Sequence, residues 1–138
     1  MKTPAAFDIE VLLRALADRT RLRLVNLMGD REVCVCFFVE ILKTSQPKIS
    51  RHLAYLRRAG IVSARRDGKW MHYRITEPAD STAKHVLDDV RSWLQIDTAM
   101  VRERERLDGI CCGSRAPVKL MQAPQPVPFV KASIRARS

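Results

Sequence analysis

The sequence predicts a mainly α-helical chain with one β-hairpin, an α+β fold. Three observations lead there. Apolar residues recur at three-to-four spacing in several short segments. A Thr44-Ser45-Gln46-Pro47 helix-start signal opens the most basic of them. Just beyond it, two alternating segments flank Asp67-Gly68, a dipeptide favoured in tight hairpin turns. With 138 residues, 46% hydrophobic and 29% charged, the chain has the composition of one globular domain.

Taken in order, Ile9, Leu12, Leu13 and Leu16 mark an amphipathic helix over 8–18. Asp18-Arg19-Thr20 interrupts it. Leu22, Val25, Leu27 and Met28 form a second helix that stops at Gly29. Cys34 to Leu42 is apolar enough for a buried helix, though periodicity alone does not exclude a strand. After the cap signal at 44–47, Ile49, Leu53 and Leu56 keep helical spacing until Gly60. Residues 61–66 and 69–75 are the hairpin strands. A break at 77–81 precedes one long helix, 82–107, striped by Val86, Leu87, Val90, Trp93, Leu94, Met100, Val101 and Leu107. Asp97 interrupts that stripe. From Gly113 onward there are four prolines and no acidic residue, the composition of a flexible tail. The expected division is a folded unit over 1–108 and a Cys-containing, Pro-rich basic tail over 109–138.

Charge locates the partner. Residues 42–74 hold nine Lys or Arg against one acid, Asp67, whereas 1–41 are balanced and 75–112 are acidic. Such a localised basic patch suits a polyanion, nucleic acid ahead of a membrane surface. No apolar run approaches the ~18 residues of a membrane span. The N-terminus lacks the apolar core of a signal peptide, so the cytoplasm is the expected compartment.

Helices, a capped basic helix and then a hairpin make the winged helix-turn-helix arrangement. The capped helix would enter the major groove. Ile49, Leu53 and Leu56 bury one side, leaving Ser45, Gln46, Lys48, Ser50, Arg51, His52, Tyr55 and Arg57 to face DNA. Gln suits adenine and Arg suits guanine, while Lys and Ser serve bases or phosphates. The wing would add Arg65, Arg66, Lys69 and Arg74. His52 and His72, both in these segments, are expected to face DNA or solvent.

Four cysteines fall in two close pairs, Cys34/Cys36 and Cys111/Cys112. In a reducing compartment this favours metal binding or redox sensing over disulfides. Thiolates two residues apart can grip one soft ion from a loop or strand. On a regular helix they would diverge by about 200°, so chelation there needs a distorted helix start. Adjacent Cys111-Cys112 suits metalloid ligation or is a fortuitous pair. Tetrahedral zinc or cadmium could take all four sulfurs.

Several segments resemble one family. Ala15-Leu16-Ala17-Asp18-Arg19-Thr20-Arg21-Leu22-Arg23-Leu24 is similar to the "ALADxTRLRIL" opening of the ArsR/SmtB metal-responsive repressors. Val33-Cys34-Val35-Cys36 resembles the family's "LCVC". Ser45 to Val62 is similar to "SQPxISRHLxxLRxAGLV", and Asp67 to Ile75 to the wing "xGxWxxYxL". The resemblance covers about residues 9–108. It implies a homodimer held by the first and last helices, bound to operator DNA and released by a metal or metalloid. The arsenic-sensing branch implies arsenite, antimonite or an organoarsenical as effector. That branch has a third cysteine three residues after Cys36, where this chain has Val39. Two sulfurs would suffice for a monosubstituted arsenical, or Cys111 or Cys112 could supply the third. A zinc site on the last helix would need more than His85, Asp88 and Asp89. Zinc, cadmium or thiol oxidation are the alternative signals. No phosphate loop, Ser-His-Asp set or apolar carboxylate pair suggests an enzyme.

Overall fold

The computed structural model describes residues 7–112 and 123–128, with only the backbone of Cys112. Helix α1 spans Ile9–Leu16 and is capped by Asp8, whose carboxylate accepts from the Glu10 and Val11 amides at 3.0 and 3.3 Å. Helix α2, Arg19–Met28, begins earlier than the apolar spacing indicated. Asp18 accepts from the Arg21 amide at 3.0 Å and starts it. Only Ala17 and Asp18 therefore separate the two helices. Gly29, at φ 52°, ends α2.

Segment 31–42 is strand and helix in succession: β1, Arg31–Cys34, runs directly into α3, Val35–Leu42. Lys43 in the left-handed region (φ 53°) ends α3. Helix α4, Gln46–Arg58, has Pro47 in its first turn and buries Ile49, Leu53 and Leu56. Ser45 holds the cap position, but its hydroxyl makes no capping bond. Instead the neighbouring Thr44 hydroxyl donates to the Leu42 carbonyl at 3.1 Å.

The hairpin joins β2, Val62–Asp67, to β3, Trp70–Ile75. Its turn residues are Gly68 and Lys69, one later than the Asp67-Gly68 turn expected, because Asp67 pairs with Trp70. Gly68 at φ 61° supplies the positive φ that a type II′ turn needs at its first central position. The antiparallel sheet runs β2-β3-β1-β4, the last strand being Val127–Pro128 on Arg31–Glu32.

The expected long helix is two helices, α5 at Ser81–Ile96 and α6 at Thr98–Cys112. Asp97 is the reason. It ends α5 with extended backbone (φ −70°, ψ 125°), and its carboxylate accepts from the Met100 amide at 3.2 Å to start α6. Helix α6 then folds back on α2 and α3. Arg23 of α2 makes a two-pronged ion pair with the buried Glu103 of α6. Asn26 donates to the Met100 carbonyl at 2.9 Å, and Arg106 donates to the Ile41 carbonyl at the end of α3 at 2.7 Å. Helix α6 runs past the 108/109 boundary expected from the sequence, to Cys112. Residues 123–128 of the expected tail lie on the fold, with Ala123 buried and Val127–Pro128 in the sheet. The rest of that tail lies outside the described residues.

One core unites these layers. Phe37, Phe38 and Ile41 of α3 and the buried face of α4 meet Leu12, Leu24, Leu27 and Met28. Ile9, Leu13, Trp93 and Ile96 remain exposed on α1 and α5, Ile96 to 77%.

Candidate thiol sensor and DNA-reading surface

Cys34 is the last residue of β1 and the cap residue of α3; Cys36 is the second residue of that helix. The backbone of Cys34 is extended (φ −69°, ψ 141°), so the helical divergence of neighbouring thiols does not apply. A cap side chain normally reaches back over the first turn. Here the sulfur makes no capping hydrogen bond; instead the Cys36 thiol donates to Cys34 Sγ at 3.1 Å. No distorted helix is needed.

The hydrogen bond separates the two thiols in acidity. Accepting from the Cys36 thiol lowers the Cys34 thiol to about 7, against the opposing effect of burial; backbone amides of Cys36, Met71 and Val35 add to the lowering. Donation to Cys34 and burial raise the Cys36 thiol. The α3 N-terminus favours the thiolate as well. Two thiolates bound to one tetrahedral ion at ~2.3 Å would stand ~3.8 Å apart, a small rotation from the observed spacing. The residues present therefore fit a shared soft ion.

Among the described residues, Cys111 is not gathered with Cys34 and Cys36. Cys111 is buried near the end of α6, its sulfur 3.8 Å from the Asp108 carbonyl. The Cys112 side chain lies outside the described residues. Among those described, no three Cys, His, Asp or Glu side chains form a ready-made metal cluster.

On α4, Ser45, Gln46, Lys48, Arg51 and Arg57 are exposed and Ser50 is partly so. His52 and Tyr55 are turned to another task. Arg21 Nη1 lies 3.2 Å from His52 Nδ1, and its guanidinium stacks 4.1 Å from the centre of the Tyr55 ring. The same guanidinium donates to the Ala15 and Arg14 carbonyls at 2.8 and 2.9 Å. Arg21 thereby ties the end of α1 to the middle of α4. Sequence reasoning had placed Arg21 only in a family motif.

The wing departs further from expectation. Arg65, Arg66 and Lys69 are all exposed, and Arg65 also reaches to the buried Glu32 and donates twice, at 2.6 Å from Nη2 and 3.1 Å from Nε. His72 does not face DNA or solvent: it is 4% exposed on β3, and its Nε2 has no hydrogen-bond partner among the described residues. Alternation along β3 sets His72 with Trp70 and Arg74, opposite Met71, Tyr73 and Ile75, so it gave no sign of that burial. His85 is exposed on α5.

Residues 18–64, from the cap of α2 into β2, match the model of the arsR family of bacterial regulatory proteins. The chain is 42% identical over 98 residues to the arsenic resistance transcriptional regulator ArsR1 of Pseudomonas putida, covering 67% of this chain and 77% of that one. It belongs to the arsR family. It is also 46% identical over 79 residues to the arsenical resistance operon repressor of Escherichia coli, covering 56% of this chain and 68% of the relative. Among solved structures, HlyU of Vibrio cholerae superposes with a TM-score of 0.53 at 29% identity, covering 62% of this chain and 89% of that one. A possible transcriptional regulator for arsenical resistance gives 0.50 at 34%, covering 70% and 91%. This arsR-family chain is a winged helix-turn-helix, DNA-binding transcriptional repressor. No helix among its described residues is long and apolar enough to cross a membrane.

Proposed function

We propose that this repressor senses trivalent arsenic or antimony through Cys34 and Cys36 and releases the operator of arsenic-resistance genes when the ion binds. The observation that carries this reading is the 3.1 Å thiol pair at the start of α3, the helix packed against the DNA-reading helix α4. An ion drawing both sulfurs together reshapes the α3 start. In a dimer, two reading helices must stay about 34 Å apart to fit successive grooves, so a small tilt in each misplaces both. A coupling of ~1–3 kcal/mol is typical of such linkage. The names of the relatives, arsenic and arsenical resistance regulators, support the choice of ion.

The dimer would form through the exposed apolar residues of α1 and α5, Leu13, Trp93 and Ile96 among them. DNA contacts fall to Ser45, Gln46, Lys48, Ser50, Arg51 and Arg57 of α4 and to Arg66 and Lys69 of the wing. The protein works in the cytoplasm, where its thiols stay reduced. Cys111 or Cys112, from either protomer, is the candidate third sulfur for inorganic arsenite. Residues 1–112 act as the DNA-binding and dimerisation unit, and the chain beyond is appended to it.

The test is a titration of the reduced protein, bound to DNA from its own promoter, with arsenite, antimonite, phenylarsine oxide, cadmium and zinc. Release by the first three at the lowest concentrations is the expected result. Release by peroxide alone, with none of these ions active, would replace the reading with thiol oxidation.

A further inference from the structure

Cys34 and Cys36 supply two sulfurs, and Val39 stands where the arsenic-sensing pattern has a third. The sheet brings another donor close. Cys34 pairs with His72 across β1 and β3. Directly opposed residues of an antiparallel pair share a face, with Cβ atoms about 4.5–5.5 Å apart. Both are buried, and His72 Nε2 is the buried side-chain nitrogen left without a partner among the described residues. A buried polar atom with no partner is costly and calls for an explanation, such as an ion.

The surroundings keep this nitrogen from water. His72 also pairs with Arg65 across β3 and β2. From there the Arg65 guanidinium reaches Glu32, two residues before Cys34 on β1. Because β3 lies between β2 and β1, this ion pair crosses the middle strand on the face that carries His72.

We propose that His72 is the third ligand of a Cys34–Cys36–His72 site for a thiophilic divalent cation, cadmium or zinc. The inference rests on the reading of Cys34 and Cys36 as ligands. On binding, both thiols release their protons to solvent. The neutral imidazole gives its Nε2 lone pair and keeps its proton on Nδ1. Two thiolates and one imidazole then neutralise a divalent ion, with a fourth position open to water. Among the described residues the three donors are not already gathered around one point, so binding must turn the imidazole toward the sulfurs. That movement pulls on β3, the returning strand of the wing, and carries the signal to a second DNA-contacting element. Trivalent arsenic, satisfied by sulfur, does not need the nitrogen.

The experiment titrates the reduced full chain with cadmium chloride, read by sulfur-to-cadmium charge-transfer absorption, and in parallel with phenylarsine oxide. His72→Gln should weaken cadmium by roughly 10-fold or more, the loss seen even for groups that merely orient a ligand. Phenylarsine oxide binding should be unchanged, which also reports that the variant is folded. Nitrogen-labelled histidine in the native sequence should show scalar coupling between His72 Nε2 and NMR-active cadmium. Native cadmium affinity in a folded His72→Gln protein, or no coupling at saturation, overturns the third ligand. The double variant Cys34→Ser, Cys36→Ser should bind neither probe; if it binds both normally, the sensor reading falls as well.

Discussion

Arg65 and Glu32 sit two strands apart, and the guanidinium of one spans β3 to donate twice to the carboxylate of the other. A basic wing residue, its side chain 53% exposed, is thus tied to β1. The Arg65 hydrogen bonds hold the Glu32 carboxyl below the usual carboxylate range, against the opposing effect of burial. A carboxylate lowered in the folded state adds stability above its unfolded pKa of ~4.3, and that stability is lost as pH falls through the folded value. Arg65→Ala should lower the thermal unfolding midpoint at neutral pH, and the two proteins should converge in acid. Its operator affinity should keep the native salt dependence. Arg66→Ala or Lys69→Ala should instead reduce the salt slope by ~1. Midpoints across pH and binding across salt separate the two roles.

Replacing Arg51 or Gln46, exposed at the front of α4, by Ala should cost roughly 1–3 kcal/mol of operator binding. The loss should be smaller on unrelated DNA. Native operator affinity in Arg51→Ala would take α4 out of the groove.

Cys34→Ser and Cys36→Ser should each bind operator normally and ignore arsenite. Replacing Cys111 and Cys112 together sharpens the result. Loss of the arsenite response with phenylarsine oxide still effective would place the third sulfur in that pair. Full response to both ligands would make the pair dispensable. Full response in the Cys34 and Cys36 variants would move the sensor away from α3.

Asp97→Ala removes the side-chain cap of α6 and should cost ~1 kcal/mol in urea unfolding, whereas Asp97→Asn should retain most of it. Equal loss in both would mean that the carboxylate charge, not its hydrogen bond, matters at the α5–α6 junction.

Sedimentation equilibrium at micromolar concentration should give twice the chain mass, and Ile96→Glu should shift it toward the monomer. A native protein that sediments near 16 kDa would leave the apolar faces of α1 and α5 without their proposed partner.

Much of this architecture was legible from local signals. The α4 periodicity and the hairpin alternation each arise within a few residues and survive in the fold. What was missed depends on which of two compatible local roles the chain takes. Asp97 interrupted an apolar stripe, and both an imperfect long helix and a capped break satisfy that pattern. Only the packing of α6 on Arg23 and Asn26 selects the break. The Cys34-X-Cys36 spacing is likewise ambiguous until the strand-to-helix junction falls between the two residues. His72 and Arg65 read as wing side chains because Glu32, forty residues before His72, becomes their neighbour only when β1 joins the sheet.

The return of Val127–Pro128 to β1 has a consequence for the crowded protein. Without it, β1 would offer a row of unpaired amides and carbonyls to any passing strand. The two-residue β4 closes that row, and Pro128, having no amide hydrogen, offers little to continue it. At the opposite margin, β2 carries Arg65, Arg66 and Asp67, charges that discourage strand addition. Each edge is therefore finished by a different chemistry, one by a ring and one by charge. Concentrated stocks should stay free of sheet-to-sheet association while residues 123–128 remain in place.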